Sequence, residues 1–142
     1  MTDKPHGPTG GLTPHLNIPD RRCGEAIDFY VKAFGAEEQV RSAGEDGRLM
    51  HAHILVNGAS LLMHDDYPEY DGKAMLPPSA VTLHLQVDDA DKWYDRAIAA
   101  GATATMPMSD MFWGDRYGQL KDPFGHTWSI GMRIAEGQGE KK

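Results

Sequence analysis

Residues 13–20 read Thr13-Pro14-His15-Leu16-Asn17-Ile18-Pro19-Asp20, and residues 82–89 read Thr82-Leu83-His84-Leu85-Gln86-Val87-Asp88-Asp89. Both follow the pattern Thr-x-His-Leu-polar-aliphatic-x-Asp. The offset is 69, from Thr13 to Thr82 and again from His15 to His84. Apolar and polar residues alternate in each copy. Leu12, Leu16 and Ile18 oppose Thr13, His15 and Asn17; Val81, Leu83, Leu85 and Val87 oppose Thr82, His84 and Gln86. A period of two with one polar face predicts a half-exposed strand. The repetition predicts that the chain uses one supersecondary unit twice.

A helix is predicted after each strand. Ile27, Tyr30, Val31 and Phe34 recur at helical spacing in the first copy, and Gly35 stands where a C-terminal cap belongs. In the second, Asp88 or Asp89 caps the start, Ala90, Trp93, Ala97 and Ala100 form the apolar stripe, and Gly101 ends it. Three short strands follow each helix, near 37–43, 49–56 and 59–65, then near 103–109, 116–121 and 126–134. Asn57-Gly58 suits a two-residue type I′ hairpin turn, and Asp122-Pro123-Phe124-Gly125 is the matching turn. The organisation is βαβββ, twice: module 1 at about 12–65, a connector at 66–80 rich in Tyr, Pro and Asp, and module 2 at about 81–134. Residues 1–11 and 135–142 carry no apolar periodicity and read as loose tails; His6 lies in the first.

The hairpin fixes a register. Pairing Val56 with Ala59 sets Leu55 against Ser60, His53 against Leu62 and His51 against His64. Ala52, Ile54, Val56, Ala59, Leu61 and Met63 then share the face that meets the helix. His51, His53, Leu62 and His64 share the other, toward which His15 and His84 also point by alternation. Five of seven histidines are therefore expected to border one cavity, although a slip of one residue would invert the face.

Composition narrows the function. The chain has 142 residues with 40% hydrophobic and 25% charged, ordinary for a globular protein. Lys plus Arg is 14 against 21 for Asp plus Glu, a net charge of −7. An acidic chain without a basic patch is a poor nucleic-acid binder. No apolar run approaches the roughly 18 residues of a membrane span, and residues 1–11 lack the apolar stretch of a signal peptide. The single cysteine, Cys23, fits a reducing compartment, so a cytoplasmic location is expected. Beside a helix start its thiol has a route to a lowered pKa, but a buried inert thiol is the plainer expectation.

The doubled βαβββ, the helix segment Ala26-Ile27-Asp28-Phe29-Tyr30-Val31-Lys32-Ala33-Phe34-Gly35-Ala36 and the segment Trp113-Gly114-Asp115-Arg116…Asp122-Pro123-Phe124-Gly125-His126-Thr127-Trp128 resemble the vicinal oxygen chelate superfamily. This group includes glyoxalase I, bleomycin-resistance proteins and extradiol dioxygenases; the PhnB-like branch is the most similar. The resemblance covers about residues 11–134. It implies an α+β fold of two βαβββ modules in one domain, 12–134. A cupped mixed sheet would carry the helices on its outer face and a ligand cavity inside, usually in a homodimer. In metal-using members the ligands come from first and last strands. The positions that align here are Thr13, Leu62, Thr82 and Ser129, none an ordinary divalent-metal ligand. His15, His64 and His84 lie about one strand period away, a place for a displaced metal or for hydrogen bonds to a ligand.

Trp113 and Arg116 fall on the loop that rims the cup in relatives. Arg116 is either an anion anchor or part of an Asp115–Arg116 network that fixes the loop. Trp128 reads as core, His126 as ordering its turn, and Tyr67, Tyr70 and Met75 as covering cavity or sheet edge. The acidic pairs Glu37-Glu38, Asp65-Asp66 and Asp88-Asp89 read as solvated ends or caps. The expected function is small-molecule binding by His15, His51, His53, His64, His84, Trp113 and Arg116, without the usual metal centre. No residue is assigned a catalytic role and no cofactor is assigned. The alternative is a metal-dependent lyase, isomerase or dioxygenase acting on a small oxygenated substrate.

Overall fold

A computed structural model describes residues 7–72 and 76–134. The element order is β1 (His15–Ile18), α1 (Cys23–Phe34), β2 (Glu37–Ala43), β3 (Leu49–Val56), β4 (Ala59–Asp65), α2 (Pro68–Asp71), β5 (Thr82–Gln86), α3 (Ala90–Ala100), β6 (Thr103–Asp110), β7 (Asp115–Lys121) and β8 (Thr127–Arg133). This is α+β, with βαβββ present twice. The chain divides into two compact units, Met1–Leu76 and Pro77–Lys142. Each holds one four-stranded mixed sheet, ordered β1-β4-β3-β2 in the first and β5-β8-β7-β6 in the second. The first strand of each unit pairs in parallel with the last, and the remaining pairs are antiparallel.

In the first unit α1 packs on the sheet through Ile27, Tyr30 and Phe34, all buried. Val31, expected in that stripe, is 40% exposed, while Phe29 is buried in its place. The apolar arc is rotated from the one spelled by i, i+3, i+4 spacing because Phe29, Tyr30 and Phe34 cluster ring against ring. The sheet answers with Leu16, Ile18, Ala52, Ile54, Val56, Leu61 and Met63, all buried. The β3–β4 register is the expected one: His53 opposes Leu62, Leu55 opposes Ser60 and Val56 opposes Ala59. Asn57 and Gly58 have φ of 53° and 82°, the pair of left-handed conformations that a type I′ turn demands.

Of the two readings of its acidic pair, solvated end or cap, Asp65 takes the cap, and takes it in the interior. It is 1% exposed. Its carboxylate accepts from the Cys23 backbone N–H at 2.8 Å and from that of Leu49 at 2.7 Å. It thereby caps the first turn of α1 from the end of β4. Burial and the neighbouring Asp65 carboxylate push the Cys23 thiol up to about 12, so Cys23 is an inert core residue.

In the second unit the buried residues of α3 are Ala90, Tyr94 and Ala97. Tyr94, outside the expected stripe, donates from its hydroxyl toward the carbonyls of Met106 (3.0 Å) and Gln119 (3.1 Å), which ties the helix to β6 and β7. Asp89 caps the helix, accepting from Lys92 N–H. Trp128 is core, as expected, and its indole N–H donates to Asp122 at 2.9 Å. The same carboxylate accepts from the backbone N–H groups of Phe124 and His126, so Asp122 organises this turn. His126 joins that turn through its backbone N–H, and its ring Nδ1 lies 3.9 Å from the same carboxylate. Met75, His6 and the C-terminal tail 135–142 lie outside the described residues, as does most of the N-terminal tail.

Candidate functional site

Strand alternation delivers His15 and His64 to the face of the first sheet turned away from α1. Their strands pair in parallel, His15 opposite Leu62. His15 therefore reaches along β4 to His64, and its Nε2 lies 2.8 Å from His64 Nδ1. The rings meet edge to face, with centroids 4.8 Å apart. One proton occupies this bond. Burial, followed by the fields of His64 and His51, lowers the His15 pKa below 6.5. Two neutral imidazoles in such a bond leave one outer nitrogen as a donor and the other as an acceptor, whichever tautomer pair is populated.

The two rings form part of the wall of an open groove of about 840 Å³. The wall is completed by Met50, by Gly44, Glu45, Asp46 and Arg48 from the β2–β3 turn and β3 approach, and by Tyr67, Glu69 and Tyr70 at α2. Arg48 organises it. Its Nε donates to Asp46 Oδ2 at 2.8 Å and its Nη1 to Glu69 Oε1 at 3.0 Å. Its guanidinium lies 4.0 Å from the centroid of the Tyr67 ring. Hydrogen bonds to Glu69 and then Asp46 raise the Arg48 pKa, and the bonds from Arg48 lower those of both carboxyls. All of these groups keep their charges at neutral pH.

The other expected site residues are placed differently. His53 is on the same sheet face but is 1% exposed, its Nε2 2.9 Å from Ser60 Oγ; it belongs to the interior and does not line the groove. His51 neighbours His15 electrostatically without lining the groove. His84 belongs to the second unit. It lies opposite Ser129 in the β5–β8 ladder. Its Nδ1 is 2.7 Å from Ser129 Oγ and its Nε2 is 2.7 Å from Gln86 Oε1. With the Gln86 oxygen accepting, Nε2 carries the proton and Nδ1 accepts from the Ser129 hydroxyl. Tyr117 stacks on His84 at 5.8 Å, and Trp113 stands edge-on to Tyr117 at 5.5 Å.

The repeat explains why His15 and His84 take different partners. Leu62 and Ser129 hold equivalent ladder positions, so two residues further along lie His64 in the first unit and Gly131 in the second. A Cβ on Gly131 would come within 3.1 Å of His84 Cε1. The second unit thus makes room for the ring where the first supplies another imidazole.

Arg116 stands on the helix side of its sheet, the side that buries Leu120 four residues on. Its Nε donates to Asp91 at 3.0 Å and its Nη1 to Asp110 at 2.8 Å. The expected partner, Asp115, pairs with Arg133 instead. Two carboxylates therefore hold Arg116 between α3 and β6. Arg48, by contrast, carries no motif in the sequence. A signal for it exists only in the acidic residues that later surround it, Asp46 and Glu69, which are 2 and 21 positions away.

A divalent metal at the positions implied by the resemblance does not fit these residues. Thr13 and Thr82 offer only hydroxyls, Leu62 offers hydrocarbon, and the Ser129 hydroxyl is engaged with His84. Among the described residues, no three His, Cys, Asp or Glu side chains converge as a metal site.

Comparison with known proteins agrees with this architecture. The chain is 48% identical over 130 residues to the uncharacterized protein Rv0887c of Mycobacterium tuberculosis, covering 88% of this chain and 75% of that one. It is 29% identical to protein YjdN of Escherichia coli, covering 85% and 94%. Among solved structures, protein PA1353 of Pseudomonas aeruginosa superposes with a TM-score of 0.71 at 23% identity, over 89% of this chain and all of that one, a likeness of fold. The family model described as Glyoxalase/Bleomycin resistance protein/Dioxygenase superfamily matches residues 13–130, which takes in both copies of the βαβββ repeat. The two mixed sheets, the repeated Thr-x-His-Leu strand and this match together make the chain a member of the glyoxalase/bleomycin resistance/dioxygenase superfamily.

Proposed function

We propose that the chain is a small-molecule-binding protein whose ligand lies in the groove of the first unit, against His15 and His64. The observation that carries this reading is the direct imidazole–imidazole hydrogen bond of 2.8 Å in the wall of a groove of about 840 Å³. Two neutral rings sharing a proton offer a ligand one donor and one acceptor, and shifting the shared proton exchanges those roles. A small oxygenated molecule carrying both a hydroxyl and a carbonyl complements such a pair. The volume is that of an ordinary small-molecule pocket. Superfamily membership supports the class of partner. The threonines, leucine and serine at the resemblance's metal positions favour binding through these side chains over a metal centre.

Saturation-transfer NMR with a set of small hydroxy-carbonyl compounds tests the reading, with His64→Leu and His84→Leu as variants and circular dichroism as the check on folding. Binders should be lost in His64→Leu and kept in His84→Leu. Compounds that bind a folded His64→Leu protein as well as the natural one would overturn it.

A further inference from the structure

The wall of this groove also has a charge, and from it we infer the class of ligand: a molecule bearing a positive charge, such as an organic ammonium, seated with that charge toward Glu45, Tyr67 and Tyr70. The inference rests on the groove reading above and adds the ligand's charge to it. Three carboxylates line the groove, Glu45, Asp46 and Glu69, against one guanidinium, that of Arg48. Arg48 is committed to Asp46 and Glu69. Arg21 reaches Asp46 from outside the lining. No cation among the described residues pairs with Glu45, which leaves one carboxylate of the lining beyond those held by Arg48 and Arg21.

The aromatic part of the wall already shows which charge it accepts. Tyr67 carries a guanidinium 4.0 Å from its ring centroid, with carboxylates of Asp46 and Glu69 at the edges of that cation. A ring face beneath and carboxylates at the side form the arrangement that stabilises a cation through the ring quadrupole and Coulomb attraction together. Tyr70 extends the pattern. Its ring lies 5.9 Å from that of Tyr67 and is 81% exposed, with Glu45 in the same lining. An anionic ligand would meet an excess carboxylate here and an arginine already saturated by two others. A cation meets the exposed Tyr70 ring, a carboxylate and the acceptor nitrogen of the histidine pair.

Benzyltrimethylammonium and benzoate share a ring and differ in charge, so titrating both by calorimetry at low salt reads the preference. Histidine ring NMR reports whether each compound reaches the groove. The inference expects the ammonium compound to bind at least ten-fold more tightly. Glu45→Gln and Tyr70→Ala, both at exposed positions that leave the core intact, should each weaken it several-fold without strengthening its effect elsewhere. Raised salt should weaken it as well. Benzoate binding equally or better while shifting His15 and His64 would overturn the ligand charge and leave the groove standing as the site. A preference for the ammonium compound that persists undiminished in a Glu45→Gln, Tyr70→Ala double variant would likewise overturn it. Neither compound shifting these histidines would overturn the groove reading itself.

Discussion

Asp65 shows how much a single buried acceptor holds in this molecule. Its two oxygens receive the first backbone N–H of α1 and the first of β3, at 2.8 and 2.7 Å. Removing it strands both donors in the interior, and each buried donor left without a partner costs roughly 1–3 kcal/mol. Asp65→Ala should therefore lower unfolding stability by about 2–5 kcal/mol, read as a drop in the urea midpoint. A change within about 0.5 kcal/mol, the range of ordinary surface substitutions, would contradict the capping role. Histidines set the pH dependence. Burial lowers the pKa of His15, which faces His64 and His51, and that of His126, which faces Asp122. A group whose folded pKa is depressed contributes its full stability above its unfolded value, near 6.5, and loses it as pH falls toward the folded value. The melting temperature should therefore fall between pH 7 and pH 5, ahead of the carboxylates. A His15→Gln, His126→Gln variant should show a flatter profile there. An equally steep decline in that variant would assign the effect elsewhere.

At the scale of elements, the hairpin joining β3 and β4 decides which residues reach the groove. Asn57 and Gly58 both stand at positive φ, and only one register lets Ile54 and Leu61 meet the helix while His64 faces away from it. Gly58→Ala should cost about 1–2 kcal/mol, the penalty of a side chain in the left-handed region, read by thermal unfolding. No loss would mean that the turn relaxes to another type. This register was legible in the sequence, because alternation and an Asn-Gly pair are local signals. The bounds of β2, β3 and β4 follow from the same signals. What stayed hidden was set by distant contacts. Val31 fits helical spacing yet faces solvent, since the ring cluster of Phe29, Tyr30 and Phe34 turns the helix. Arg116 sits in a motif that suggests a cavity rim, but alternation from Leu120 puts it beside α3, where Asp91 and Asp110 take it. Arg48 is the converse: no motif marks it, and its partners come from the turn before it and the helix beyond β4. Of the candidate site, the sequence carried the histidines and their strand face, but not the arginine and carboxylates that shape the groove.

At the scale of the whole molecule, β1 and β2 are the edge strands of the first sheet and β5 and β6 those of the second. Exposed edges invite pairing, and a two-fold association is the commonest way to cover them. We propose a homodimer in solution. Light scattering should give a mass twice the 15.6 kDa of the chain, and a mass of 15.6 kDa at micromolar concentration would contradict it. The repeat gives both units a histidine in the first strand; among the described residues His15 meets a second imidazole in the wall of a groove, whereas His84 meets Ser129 and Gln86. We propose that binding rests on one copy of the repeat, although both share the fold. Long-range proton–nitrogen NMR on protein labelled with ¹⁵N-histidine tests this asymmetry most directly, recorded at neutral pH before and after adding a compound shown to bind. The account predicts that the ring nitrogens of His15 and His64 shift together, as two rings sharing one proton must, while those of His84 stay in place. Shifts at His84 with the His15–His64 pair unmoved would contradict it.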